Sequence, residues 1–145
     1  MSITIRQIED AAPMMRWRRE VIREVFGIEP DSELLEANLQ YLREAPYIAC
    51  VASEDGNDVG CGLFCLQREM PSPDNPTGRC ACLMNIYVRT PYRRRGAGSE
   101  IVSWLIDQAK ARGCGKIYLE TTEIGRAVYS RLGFKDIHGM MILAE

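Results

Sequence analysis

Residues 80–99, CACLMNIYVRTPYRRRGAGS, run from an almost wholly apolar stretch of strand length into an arginine cluster, two glycines and the start of an amphipathic helix. The apolar run Cys80 to Val88 predicts a strand central in its sheet, with both faces covered. Asn85 alone interrupts it. Read at a period of two, Asn85 shares a face with Leu83 and Tyr87, and a buried amide there needs hydrogen-bond partners in the protein, in water or in a ligand. Beyond Pro91, Ile101, Leu105 and Ala109 recur on one face of a helix over 98–112, which Gly113 stops and whose negative end suits Lys110 and Arg112.

The rest of the chain extends this alternation in both directions. Ser2 to Ile8 alternates apolar and polar residues as a strand does, and Met14, Trp17, Val21 and Val25 then recur at helical spacing, giving a helix over 11–26. Asp31 or Ser32 caps a second helix whose Leu35, Leu39 and Leu42 share a face, and Pro46 bars its continuation. Tyr47 to Ala52 and Val59 to Leu66 read as two strands joined by the polar turn Ser-Glu-Asp-Gly-Asn-Asp, a hairpin. Three prolines make the stretch from Arg68 to Gly78 a loop. Lys116 to Thr122 reads as a strand, Ile124 to Leu132 as a short helix stopped by Gly133, and the remainder as one or two closing strands. The order predicts an α+β (α/β) domain around a mixed sheet.

A chain of 145 residues with 46% apolar composition supports one hydrophobic core, so residues 1–145 are expected to form one domain. Eighteen basic residues against 20 acidic ones argue against a dedicated nucleic-acid partner. The balance hides an asymmetry: residues 1–60 hold twelve acids and six bases, residues 61–145 eight acids and twelve bases. One histidine, His138, excludes a histidine-rich metal site. The six cysteines contain no C-x-x-C pair and five lie in apolar, strand-like runs, so they are read as small hydrophobes and no metal is expected. The acidic N-terminal stretch carries no apolar signal region, and no apolar run approaches the ~18 residues of a membrane span. A cytoplasmic protein without a membrane partner is the expectation.

The stretch Arg93-Arg94-Arg95-Gly96-Ala97-Gly98-Ser99 carries the chemistry. A helix start offers unpaired N–H groups and a positive dipole end, glycines let an anion approach the backbone, and guanidinium groups suit phosphate oxygens. A nucleotide P-loop is ruled out because no lysine follows the glycines, and a dinucleotide fingerprint because Ile101 stands where its third glycine belongs. An arginine run before a helix is also compatible with a plain solvated turn.

The order of apolar strand, Val88, Pro91, Tyr92 and R-x-x-G-x-G (Arg93 to Gly98), followed about 30 residues later by Tyr129 and Leu132-Gly133-Phe134, resembles the GNAT family of acyl-CoA-dependent N-acyltransferases. The resemblance implies a mostly antiparallel mixed sheet with a splayed strand pair and flanking helices. It implies that Arg93, Arg94, Arg95, Gly96, Ala97, Gly98 and Ser99 cradle the pyrophosphate of acetyl-CoA. It also implies that Ile86, Tyr87 and Val88 form the splayed strand end along which pantetheine pairs. Tyr129 takes the place of the family tyrosine that protonates the departing thiolate, the alternative being a packing tyrosine beside Gly125 and Leu132.

Two departures stand out. Many relatives hold pantetheine with an asparagine seven residues before the tyrosine, where this chain has Thr122, a residue equally suited to cap a helix. Many also carry a glutamate on the central strand, where this chain offers Asn85; Glu120 and Glu123 are then the nearby candidates for a base, each also readable as a surface acid. The resemblance implies an amine acceptor, a small molecule or a protein amine, and leaves a homodimer open. Glu20, Glu24, Asp31, Glu33 and Glu36 concentrate where relatives shape the acceptor site and suggest a cationic acceptor. The competing reading is a non-catalytic module that senses acyl-CoA or binds RNA through its arginines.

Overall fold

The computed structural model describes residues 2–145. In chain order the elements are β1 (Ile3–Ile8), α1 (Ala11–Val25), α2 (Ser32–Glu44), β2 (Tyr47–Glu54), β3 (Asn57–Arg68), β4 (Arg79–Val88), α3 (Ala97–Ala111), β5 (Lys116–Leu119) and α4 (Glu123–Arg131), with a 3-10 turn at Thr90–Tyr92. The strands lie side by side in sequence order, antiparallel except for the parallel pair β4 and β5. This is the expected α+β architecture, with β4 inside the sheet.

Local chemistry sets most boundaries. Asp31, at the α2 N-cap, accepts a 2.8 Å hydrogen bond from the Leu34 N–H. Asp55 and Gly56, at φ 51° and 86°, form a two-residue turn between the paired residues Glu54 and Asn57, the backbone that a tight hairpin demands. The β2 and β3 strands therefore run longer than the expected limits, and β5 stops at Leu119, before Thr122.

Two helical layers cover the sheet. On one face α3 places Ile101, Val102 and Leu105 against Cys50, Ala52, Phe64, Ala81 and Leu83. On the other, α1 and α2 place Met14, Trp17, Val21 and Leu42 against Ala49, Val51, Leu63 and Tyr87. Phe64, Ile101 and Leu105 are completely buried, each contributing about 2 kcal/mol by removal from water. Gly62 admits the α3 side: a Cβ there would stand 2.7 Å from Ile101 Cγ2.

Two expectations are corrected. Asn85 does not share a face with both Leu83 and Tyr87. Leu63 pairs with Met84 and Cys61 with Tyr87, so Asn85 and Ile86 together oppose Gly62, a β-bulge with Asn85 at φ 57°. The extra residue inverts the alternation. Leu83, Ile86 and Val88 pack on the α3 side, Met84 and Tyr87 on the α1/α2 side. The closing strands also do not form: residues 132–145 hold no strand. A strand needs a neighbour for its N–H and C=O groups. Asp136 is held on α4 by Arg126, and the apolar residues that follow, Met140 to Leu143, lie exposed.

Candidate active site

The parallel pairing of β4 with β5 runs from Cys80↔Lys116 to Leu83↔Leu119 and ends there, while β4 continues to Val88. Residues 84–88 thus present backbone on the β5 side without a strand beside it. Just beyond, the chain turns through Thr90–Tyr92 into α3, whose N-cap is Gly96 at φ 94° with no side-chain cap. The first-turn N–H groups of α3 have no intrahelical partners, and the dipole adds positive potential there. A Cβ at Gly96 would meet nothing within 4 Å, and one at Gly98 only Val88 Cγ2 at 3.9 Å. The glycines leave open space at an uncapped helix start, where an anion can approach the backbone.

The three arginines are not equivalent. Arg93 Nε donates to the Val88 carbonyl at 2.8 Å, and its guanidinium lies 5.9 Å from the Tyr87 ring centre. Arg95 donates to Glu54 Oε2 at 2.8 Å and lies over Tyr92. Arg94 stands exposed at φ 65°, its guanidinium engaged by no side chain among the described residues. Arg93 and Arg95 thus each anchor the turn through a hydrogen bond, while Arg94 makes no side-chain contact among the described residues.

Tyr129 is half-buried on α4 and packs on the α3-side core with Leu132 and Phe134. Gly133, at φ 100°, ends the helix and brings Phe134 back so that its N–H bonds the Tyr129 carbonyl at 3.0 Å and its ring meets the phenol edge-on at 5.9 Å. Gly125, one turn earlier, leaves room for the ring: a Cβ there would lie 3.1 Å from Tyr129 Cε2. Burial pushes the Tyr129 phenol above its ordinary value of 10.0. Thr122 caps α4, accepting from the Gly125 N–H at 3.4 Å. Glu123 is 87% exposed and paired with Arg126, a surface acid in the first turn of α4.

Across the sheet, α1, α2 and the β4 bulge enclose a cavity of about 160 Å³. Asn85 lines it, and its Oδ1 accepts a 2.9 Å hydrogen bond from Arg18 Nη1. The expected acidic residues are elsewhere: Glu20 pairs with Arg89 and Asp31 caps α2. Sequence reading missed Arg18. Its signal was available, since Arg18 stands four residues after Met14 and beside Trp17, a charge set on the apolar stripe of α1.

The acetyltransferase (GNAT) family profile matches residues 11–134. The chain belongs to the GNAT family. As a GNAT protein it is an N-acetyltransferase. It is 28% identical to the Bos taurus thialysine N-epsilon-acetyltransferase over 81% of this chain and 76% of that protein. A crystal structure of a predicted acetyltransferase with acetyl-CoA from Clostridium acetobutylicum superposes with a TM-score of 0.83 at 25% identity, covering 99% of this chain and 96% of that one. A GCN5-related N-acetyltransferase from Ralstonia eutropha JMP134 superposes at 0.77 with 23% identity, covering 99% of each chain. The GNAT fold expected from Arg93–Gly98 and Tyr129–Phe134 is thus the fold observed.

Proposed function

We propose that this protein transfers the acetyl group of acetyl-CoA directly to a primary amine. In this reading the donor lies on the α3 side, the acceptor lies in the cavity under α1 and α2, and the two meet where β4 parts from β5. The observation that carries the reading is the end of strand pairing at Leu83 beside an uncapped, glycine-lined helix start. Kinship with an acetyltransferase solved with acetyl-CoA supports it.

Acetyl-CoA supplies, when bound, an acyl group already activated as a thioester. The chain's residues bind and orient it. The N–H groups at Ala97, Gly98 and Ser99 hold the pyrophosphate, with Arg94 adding a charge-assisted contact. Ile86, Tyr87 and Val88 offer backbone to the pantetheine arm as a strand does. A backbone N–H there polarises the acyl carbonyl.

Tyr129 holds a proton for the departing sulfur. A thiol ionises near ~8.5 and a phenol near ~10, and burial keeps this phenol protonated throughout the neutral range. Thr122 caps the helix that positions it. An amide holds no titratable proton, so Asn85 serves to orient Arg18, and water entering the open cavity takes the ammonium proton. Glu123, solvated and paired, has no part in that step in this reading.

Titration calorimetry with acetyl-CoA, paired with a thiol-release assay over a panel of amines, tests the proposal. Tight binding with amine-dependent CoA release is expected. Binding without release from any amine would leave an acyl-CoA sensor in place of a transferase.

A further inference from the structure

The cavity under α1 and α2 holds a cation with no anion beside it. Arg18 is more than half buried, with Nε donating to Asn38 Oδ1 and Nη1 to Asn85 Oδ1, both at 2.9 Å. Two neutral amides fix the direction of the guanidinium without neutralising it. Two carboxylates near α1 are paired away from Arg18, Glu29 with Arg19 and Arg23 and Glu20 with Arg89. Among the described residues Arg18 forms no ion pair, and the remaining walls of the cavity are largely apolar, including Met14, Leu63 and Met84. A guanidinium drawn partly out of water beside apolar groups gains when a counter-ion arrives.

Resting on the reading of this cavity as the acceptor site, we infer that the acceptor is a small amine bearing a carboxylate, which pairs with Arg18. The terminal N–H groups of the guanidinium left over from Asn85 form the planar fork that a carboxylate matches with two parallel hydrogen bonds. One cation suits a monoanion. A phosphate monoester, with a charge approaching −2 at neutral pH, would find no second cation in this cavity. The cavity, about 160 Å³ and open to solvent, has room for the body of a small amine. Asn38 and Asn85 are positioning residues, because they act through Arg18.

The test pairs each carboxylated amine with its counterpart lacking the carboxylate: lysine with cadaverine, and the ω-amino acids from 3-aminopropanoate to 6-aminohexanoate with the matching alkylamines. Binding is measured by calorimetry on the CoA-loaded protein, and turnover by CoA release. At least one carboxylated member is expected to bind tenfold or more tightly than its counterpart. Arg18→Gln is expected to abolish that preference by raising KM, with acetyl-CoA affinity unchanged within twofold, and Arg18→Lys to restore part of it.

No preference in any pair, a preference surviving in a folded Arg18→Gln protein, or stronger binding of aminoethyl phosphate would overturn the assignment. The wild-type pairs decide even where a variant fails to fold. A carboxylate preference in binding without any CoA release sustains Arg18 and removes the transferase reading, whereas release from amines without preference does the reverse.

Discussion

Arg95 Nη1 lies 2.8 Å from Glu54 Oε2, joining the start of α3 to the end of β2 across a carboxylate whose side chain is only 5% exposed. Removing the arginine strands that buried charge. Arg95→Ala is expected to lower unfolding free energy by about 3 kcal/mol, read from the urea midpoint at constant slope. Arg94→Ala should shift stability by less than about 0.5 kcal/mol. Its effect falls on acetyl-CoA affinity, about tenfold or more for one charge-assisted phosphate contact. Equal effects of the two substitutions on stability would remove the division of labour between them.

Gly98 separates folding from binding in the opposite sense. It lies inside α3, and a Cβ there meets only Val88 Cγ2 at 3.9 Å. Gly98→Ala should therefore raise stability by about 0.5–1 kcal/mol, the usual gain of alanine over glycine in a helix. The same methyl group occupies the space where the pyrophosphate would approach the backbone. A higher melting temperature with weaker acetyl-CoA binding is the expected outcome, and unchanged affinity would move the phosphate site away from Gly98.

What the sequence made legible is local. Asp31 as a cap, a hairpin turn between Ala52 and Val59 and the stops at Gly113 and Gly133 all follow from chemistry within a few residues, and the structure keeps them, tightening the turn to Asp55-Gly56. The Arg93–Gly98 turn before a helix is legible for the same reason. The features that shape the candidate site depend on distant partners. The bulge at Asn85 is set by register against Gly62 and breaks the period of two on which face assignment rests. The bonds from Arg18 to Asn85 and from Arg95 to Glu54 span 67 and 41 positions, so no window along the chain reveals which arginine is committed and which is available. The missing closing strands are the same lesson: an apolar run becomes a strand only beside a neighbour.

Acid should weaken the seam between α1 and the end of β4. The two hydrogen bonds from Arg89 hold the Glu20 carboxyl below its ordinary 4.5, and Arg89 also lies 4.6 Å from the Trp17 ring centre. A carboxyl depressed in the folded state contributes stability that is present above the unfolded value and lost as pH falls through the folded one. Unfolding free energy should therefore decline below about pH 4.5. Glu20→Gln should flatten this part of the decline while lowering stability at pH 7. An unaltered acid slope in that variant would exclude the pair as its source.

Tyr129 should separate chemistry from binding. Its hydroxyl has no hydrogen-bond partner among the described residues, so Tyr129→Phe should unfold within about 0.5 kcal/mol of wild type and bind acetyl-CoA equally well, yet lose turnover. The loss expected for a general acid is about a hundredfold in kcat. Because burial raises the phenol above 10.0, its contribution to stability is fully present below that value and is lost only as pH rises past it. The phenol therefore sets no limit on rate between pH 7 and 9. The acceptor amine does: with an ammonium of pKa ~10.4 and water as its base, kcat/KM should climb about tenfold per pH unit across that range. A plateau below pH 8 would reveal a protein base, and Glu123→Gln and Glu120→Gln are the variants that would identify it.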